Sequence, residues 1–122
     1  MTWLYVCLGA AVGAPARYLT DRAIQIRHDS VFPWGTFAVN VTGSLILGIL
    51  IGAGTHQQVP AALVAGVGIG FCGALTTYST FGYETVRLAE DGARLFAVVN
   101  AAASLVVGFG AAALGYLLGQ AL

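Results

Sequence analysis

The chain has no lysine, and charge of either sign is scarce. Its 122 residues hold five arginines and five acidic side chains, for a net charge of zero. A soluble domain is normally about a quarter charged; here the figure is 8%. So few charges cannot cover a globular surface, which excludes an ordinary soluble enzyme. The lack of lysine and of net charge excludes a basic nucleic-acid binder. Cysteine is equally thin. Cys7 and Cys72 stand alone among apolar residues with no CxxC or Cys/His spacing, so neither metal nor redox chemistry is indicated. His28 and His56 both fall in polar connections, and no nucleophile–base pair is visible, so the chain does not read as an enzyme. What it has in quantity is apolar surface: 58% of residues, at a mean hydropathy of +0.85. The solvent for most of this chain is lipid.

The charges fall into two clusters. Arg17, Asp21, Arg22, Arg27 and Asp29 form one; Glu84, Arg87, Glu90, Asp91 and Arg94 form the other. Residues 1–16, 30–83 and 95–122 carry none. A membrane helix needs about 20 apolar residues to cross a core of about 30 Å. The middle run is too long for one crossing and is broken by Thr55-His56-Gln57-Gln58-Val59-Pro60. The chain therefore reads as a single all-α membrane domain, 1–122, with four transmembrane helices over about 3–22, 33–54, 60–86 and 94–119. Ala14-Pro15-Ala16 has the form of a signal-peptidase site. No basic residue precedes the apolar stretch, however, and apolar character resumes beyond it, which argues against a cleaved leader.

Glycines four residues apart recur in every span: Gly9/Gly13, Gly48/Gly52, Gly66/Gly70 and Gly115/Gly119. Small residues at that spacing let membrane helices approach closely. Four short spans enclose little volume, so a polar pathway calls for a second chain, and a dimer is expected. On the second span Thr36, Asn40 and Ser44 share one helical face. An amide at membrane depth must be satisfied. It serves either as glue to a neighbouring helix or as the lining of a polar pathway. The third span sets Gly66, Gly68, Gly70 and Gly73 ahead of Thr76, Thr77, Ser79 and Thr80. Hydroxyls can return to their own helix carbonyls, but this density of glycine and hydroxyl favours a broken helix. Irregular backbone at that depth occurs only in a protein interior or beside water, where freed carbonyls can hold a cation. Tyr78 and Phe81 share a face beside that segment, and aromatic edges carry partial positive charge. On the fourth span Asn100 and Ser104 repeat the i, i+4 pairing, again as glue or as lining. Arg17, near the end of the first span, either snorkels or draws anions to a pore mouth.

These residues resemble the Fluc/CrcB fluoride channel family. Gly13-Ala14-Pro15-Ala16-Arg17-Tyr18 is similar to its first-span GAxxRY motif, and the segment Gly35-Thr36-Phe37-Ala38-Val39-Asn40-Val41-Thr42-Gly43-Ser44 to its GTxxVNxxGS motif. Gly70-Phe71-Cys72-Gly73-Ala74-Leu75-Thr76-Thr77-Tyr78-Ser79-Thr80-Phe81 is close to its GxCGGLTTFSTF motif. The resemblance covers the whole chain. It implies an antiparallel dimer in a bacterial or archaeal cell (inner) membrane that exports cytoplasmic fluoride passively through pores between the subunits. It implies a fluoride pathway of Thr36, Asn40, Tyr78, Phe81, Asn100 and Ser104, with Arg17 in the vestibule. It also implies a structural sodium ion (Na+) held by the Gly73 and Thr76 backbone carbonyls of both subunits. Two departures stand out: Tyr78 where the family usually has Phe, and Asn100 where an aromatic is common.

Two alternatives remain beside this reading. One is a subunit of a heterodimeric channel with one degenerate pore. With four spans, all five arginines belong to regions on one side of the membrane, a bias that fixes orientation. The inverted partner of an antiparallel dimer is then either an identical or a homologous chain. The other alternative is a proton-coupled small multidrug exporter. That needs a carboxylate inside a span, and every acidic residue lies in the two charge clusters.

Overall fold

The structure is a computed structural model and describes residues 2–27 and 32–122. His28 and Asp29, placed by their sequence in the first connection and the first charge cluster, lie outside the described residues. Every regular element among the described residues is helical: α1 (Thr2–Arg27), α2 (Trp34–Ala53), α3 (Ala61–Leu63), a π-helix (Val64–Cys72), α4 (Gly73–Leu75), α5 (Ser79–Glu90) and α6 (Arg94–Gln120). The chain is an all-α membrane protein. Three helical stretches are long and apolar enough to cross a membrane: Trp34–Ala53, Ala61–Glu90 and Arg94–Gln120. Helix α1 is as long as these. It runs past the expected limit at residue 22, through Pro15 and the charged positions, and ends at Arg27.

The boundaries follow from local chemistry. Pro60 precedes α3, where its missing N–H costs nothing. Thr55 turns its hydroxyl back onto the Gly52 carbonyl (2.7 Å) as α2 ends. Between α5 and α6 the chain reverses within Asp91–Ala93, and Gly92 takes a φ of 84°, which suits glycine alone.

Packing is organised by glycine. Helices α2 and α6 lie against each other along their length. A Cβ on Gly48 or Gly52 would strike the backbone of Ala112 or Tyr116; one on Gly115 or Gly119 would strike that of Leu45 or Ile49. Helix α1 meets the π-helix in the same manner. Gly9 lies against the backbone of Gly66 and Phe71, and Gly70 against that of Val6 and Ala10. These two seams bring four backbones into direct contact, which dispersion rewards where lipid supplies no hydrophobic force. The remaining faces of α2, α6 and the third apolar stretch diverge and leave a groove.

Candidate functional site: an uncharged groove

The path Ala61–Glu90 does not run as one helix. Leu75 is the last residue of α4, and Thr76 is extended (φ −80°, ψ 158°). Helical winding resumes at Ser79. The backbone groups of this interruption are met from elsewhere. Thr76 keeps its N–H on the Cys72 carbonyl (3.0 Å) and adds its hydroxyl to the same oxygen (2.8 Å). The Thr77 N–H, which in a continuous helix would bond the Gly73 carbonyl, donates instead to Asn40 Oδ1 (2.7 Å). Asn40 Nδ2 in turn donates to the Thr77 carbonyl (3.0 Å). One side-chain amide thus imitates a neighbouring peptide and satisfies both polar groups of Thr77, which buried backbone requires. The Gly73 carbonyl loses its helical donor as a result. Thr77 Oγ1 accepts the Thr80 N–H (3.2 Å), giving the first turn of α5 a capping acceptor.

Beside the interruption lies a groove of about 1250 Å³, walled by α2, the third apolar stretch and α6. Of the residues singled out in the sequence, Asn40, Ser44, Gly73, Thr76, Tyr78, Phe81 and Ser104 line it. Among the described residues no charged side chain does so. Tyr78 is 86% exposed, so its ring stands clear of the chain, with the half-buried Phe81 6.1 Å away between centroids. Asn40 has two amide hydrogens; one is given to Thr77, which leaves the other for a ligand in the groove.

The other candidates sit elsewhere. Thr36 is 3% exposed, one turn of α2 below Asn40, within hydrogen-bond reach of Glu84. Asp21 lies close by: its carboxylate abuts Gly35, where any Cβ would collide with it, and acts electrostatically on Glu84. The α2 polar face therefore meets three surroundings in turn. Thr36 faces an acidic end, Asn40 the interruption and Ser44 the groove. Asn100 is 1% exposed and is not among the groove-lining residues. Its Nδ2 donates to Thr85 Oγ1 (2.8 Å). Arg17 is half-buried on α1 and does not line the groove either.

Sequence reasoning placed Thr77 among the third-span hydroxyls but missed its pairing with Asn40, and it missed Thr85. The signal for Thr85 was its position four residues after Phe81, whose carbonyl it bonds (2.8 Å). The pairing of Thr77 left no signal, because its partner lies 37 residues away. For a metal, the described residues hold no cluster of three or more His, Cys, Asp or Glu. Oxygens of backbone and hydroxyl groups at Gly73 and Thr76 are the donors on offer, a set that suits a hard monovalent cation.

Comparison with known proteins agrees on the family. The model of the CrcB-like protein family, Camphor Resistance (CrcB), matches residues 4–116. A "Fluoride-specific ion channel FluC 1" of Frankia casuarinae is 62% identical, over 99% of this chain and 98% of its own length. A FluC 1 of Streptomyces avermitilis is 58% identical, over 100% of this chain and 98% of its own. A FluC 2 of Mycobacterium tuberculosis is 42% identical, over 97% and 90% respectively. These relatives are named as ion channels, not enzymes. The chain belongs to the CrcB family.

Proposed function

We propose that this protein is a passive fluoride channel of the bacterial inner membrane. The observation that carries the reading is a groove whose largely apolar walls, with Leu47, Leu50, Ile69 and Leu105 among them, also present hydroxyls, one half-free amide and aromatic rings, with no charged side chain among the described residues that line it. Fluoride is small and strongly hydrated, so a path for it must replace water with close donors. A lysine or arginine in the wall would trap the ion, and a carboxylate would repel it. Neutral donors and positive ring edges avoid both faults. Asn40, Tyr78, Phe81 and Ser104 form the path, and Arg17 raises the positive potential at its mouth. Fluoride enters cells as the neutral weak acid and is trapped as the anion at cytoplasmic pH. Its export therefore needs no coupling ion.

The groove is completed by a second chain in the opposite orientation. What supports this is the state of its glycines. Gly73 and Gly108 line the groove, yet a Cβ on either would meet nothing within 4 Å. Helix α1, with its uncharged first half, is the fourth span. The Gly73 and Thr76 carbonyls of each subunit would hold a sodium ion, which would supply positive charge to backbone oxygens freed by the interruption. The arginine bias favours a second reading for the partner, a homologous chain of inverted orientation. Reporters fused to the C-terminus should then sit on one side only, and equal signals from both sides would return the assembly to a homodimer.

The test of function is fluoride efflux from liposomes containing this chain. The native protein should empty fluoride-loaded vesicles. Phe81→Ile, which keeps apolar bulk but removes the ring edge, should slow efflux at least about tenfold while assembly survives. Native protein that assembles and passes no fluoride would end the proposal.

A further inference from the structure

Helix α5 begins after a segment that does not wind, so α4 cannot set its rotation about its own axis. That rotation decides where Phe81 points. Two side-chain amides from other helices hold it. Asn40 grips the segment ahead of α5 through Thr77. Asn100 grips α5 itself: its Nδ2 donates to Thr85 Oγ1 (2.8 Å), and the Thr85 hydroxyl donates to the Phe81 carbonyl (2.8 Å). A threonine hydroxyl bonded to its own helix still has lone pairs to accept with, and Asn100 uses one of them. From the other side Ser104 Oγ reaches Asn100 Oδ1 at 3.4 Å. The result is one chain of contacts from a groove-lining hydroxyl, through a buried amide, to the carbonyl of a groove-lining aromatic.

We infer that Asn100 is a positioning residue that acts on the ion path through Thr85, setting the angle of Phe81, and does not itself touch the ion. With 1% exposure it has no access to the groove, and Thr85 does not line the groove either. The unequal lengths assign the parts. The bond to Thr85 is of ordinary strength, whereas that from Ser104 is at the limit of a hydrogen bond. An anion can thus draw the Ser104 hydroxyl into the groove without loosening the grip on α5. Hydrogen bonds linked in sequence also strengthen one another in a dry setting.

The inference rests on the fluoride reading, and the experiment separates the two. Efflux rate per assembled channel is measured for the native protein, Thr85→Val, Thr85→Ser, Asn100→Ala and the Asn100→Ala/Thr85→Val double variant. Valine matches threonine in shape and replaces the hydroxyl by a methyl group. Thr85→Val should slow efflux about tenfold, the scale expected for a misplaced group, and Thr85→Ser should restore it. The double variant should be no slower than the slower single one, because both changes cut the same connection. Should Asn100→Ala fail to assemble, the Thr85→Val and Thr85→Ser pair decides the question alone. Native efflux unchanged in Thr85→Val overturns the inference and leaves the channel standing. So does slow efflux in Asn100→Ala beside a normal Thr85→Val, because Asn100 would then act on the ion directly. No efflux from the native protein overturns the fluoride reading instead.

Discussion

The α2–α6 seam and the groove beside it use the same residue to opposite ends. In the seam, Gly48, Gly52, Gly115 and Gly119 are each pressed against backbone of the facing helix. On the groove side of α6, a Cβ on Gly108 would meet nothing within 4 Å, and the same is true of Gly73 on the third stretch. A glycine that admits a neighbour explains itself. A glycine with open space beside it has no account within one chain, and α-helical glycine is costly where alanine would serve. In the proposed dimer, the contrast distinguishes surfaces finished within one subunit from a surface left for another.

Two substitutions set that contrast to work. Gly52→Val places a side chain where the Tyr116 backbone already is, and backbone in a helix cannot step aside. The cost should lie at or above the upper end of the roughly 1–3 kcal/mol typical of overpacking. The measurement is the yield of monodisperse protein in detergent and its melting temperature; a native-like melt would show that the seam can open without penalty. Gly108→Val adds the same side chain to the groove wall. It should leave the helix content and melting of the single chain within about 0.5 kcal/mol of native, while cross-linked or photobleaching-counted dimers fall. If dimers persist undiminished, the open glycines face lipid and not a partner.

How much of this was legible in sequence depends on the range of the interaction. Glycine spacing identified the seam faces, because i and i+4 share a helical side whatever lies opposite. Which seam each face joins was not legible, since the spacing is the same on all of them. The Thr36-Asn40-Ser44 face was equally plain, but not its division among an acidic end, an interruption and a groove. Asn100 and Ser104 look alike in the sequence, and one turns inward to Thr85 while the other opens to the groove. The amide of Asn40 was read as either glue or lining. In the structure one amide hydrogen bonds Thr77, and the residue also borders the groove. The π-wound stretch was invisible, because glycine, valine and isoleucine are ordinary in an α-helical span. What distinguishes it in the structure is its close packing against α1, which sequence alone does not show.

That winding has a consequence for how the chain tolerates changes in length. A π-helix closes its hydrogen bonds at i→i+5 and so accommodates more chain per turn than an α-helix. Removing one residue from Val64–Cys72 would let the stretch relax to the commoner winding, with no cavity and no lost bond of its own. The change of winding would nevertheless alter the rotation and height at which everything downstream leaves the stretch. Thr77 would leave the reach of Asn40, and Phe81 would turn from the groove wall. A deletion that heals its own helix would thus dismantle a site several residues away, whereas the polar connection Thr55–Gln58, bound to nothing so exacting, can change length at little cost.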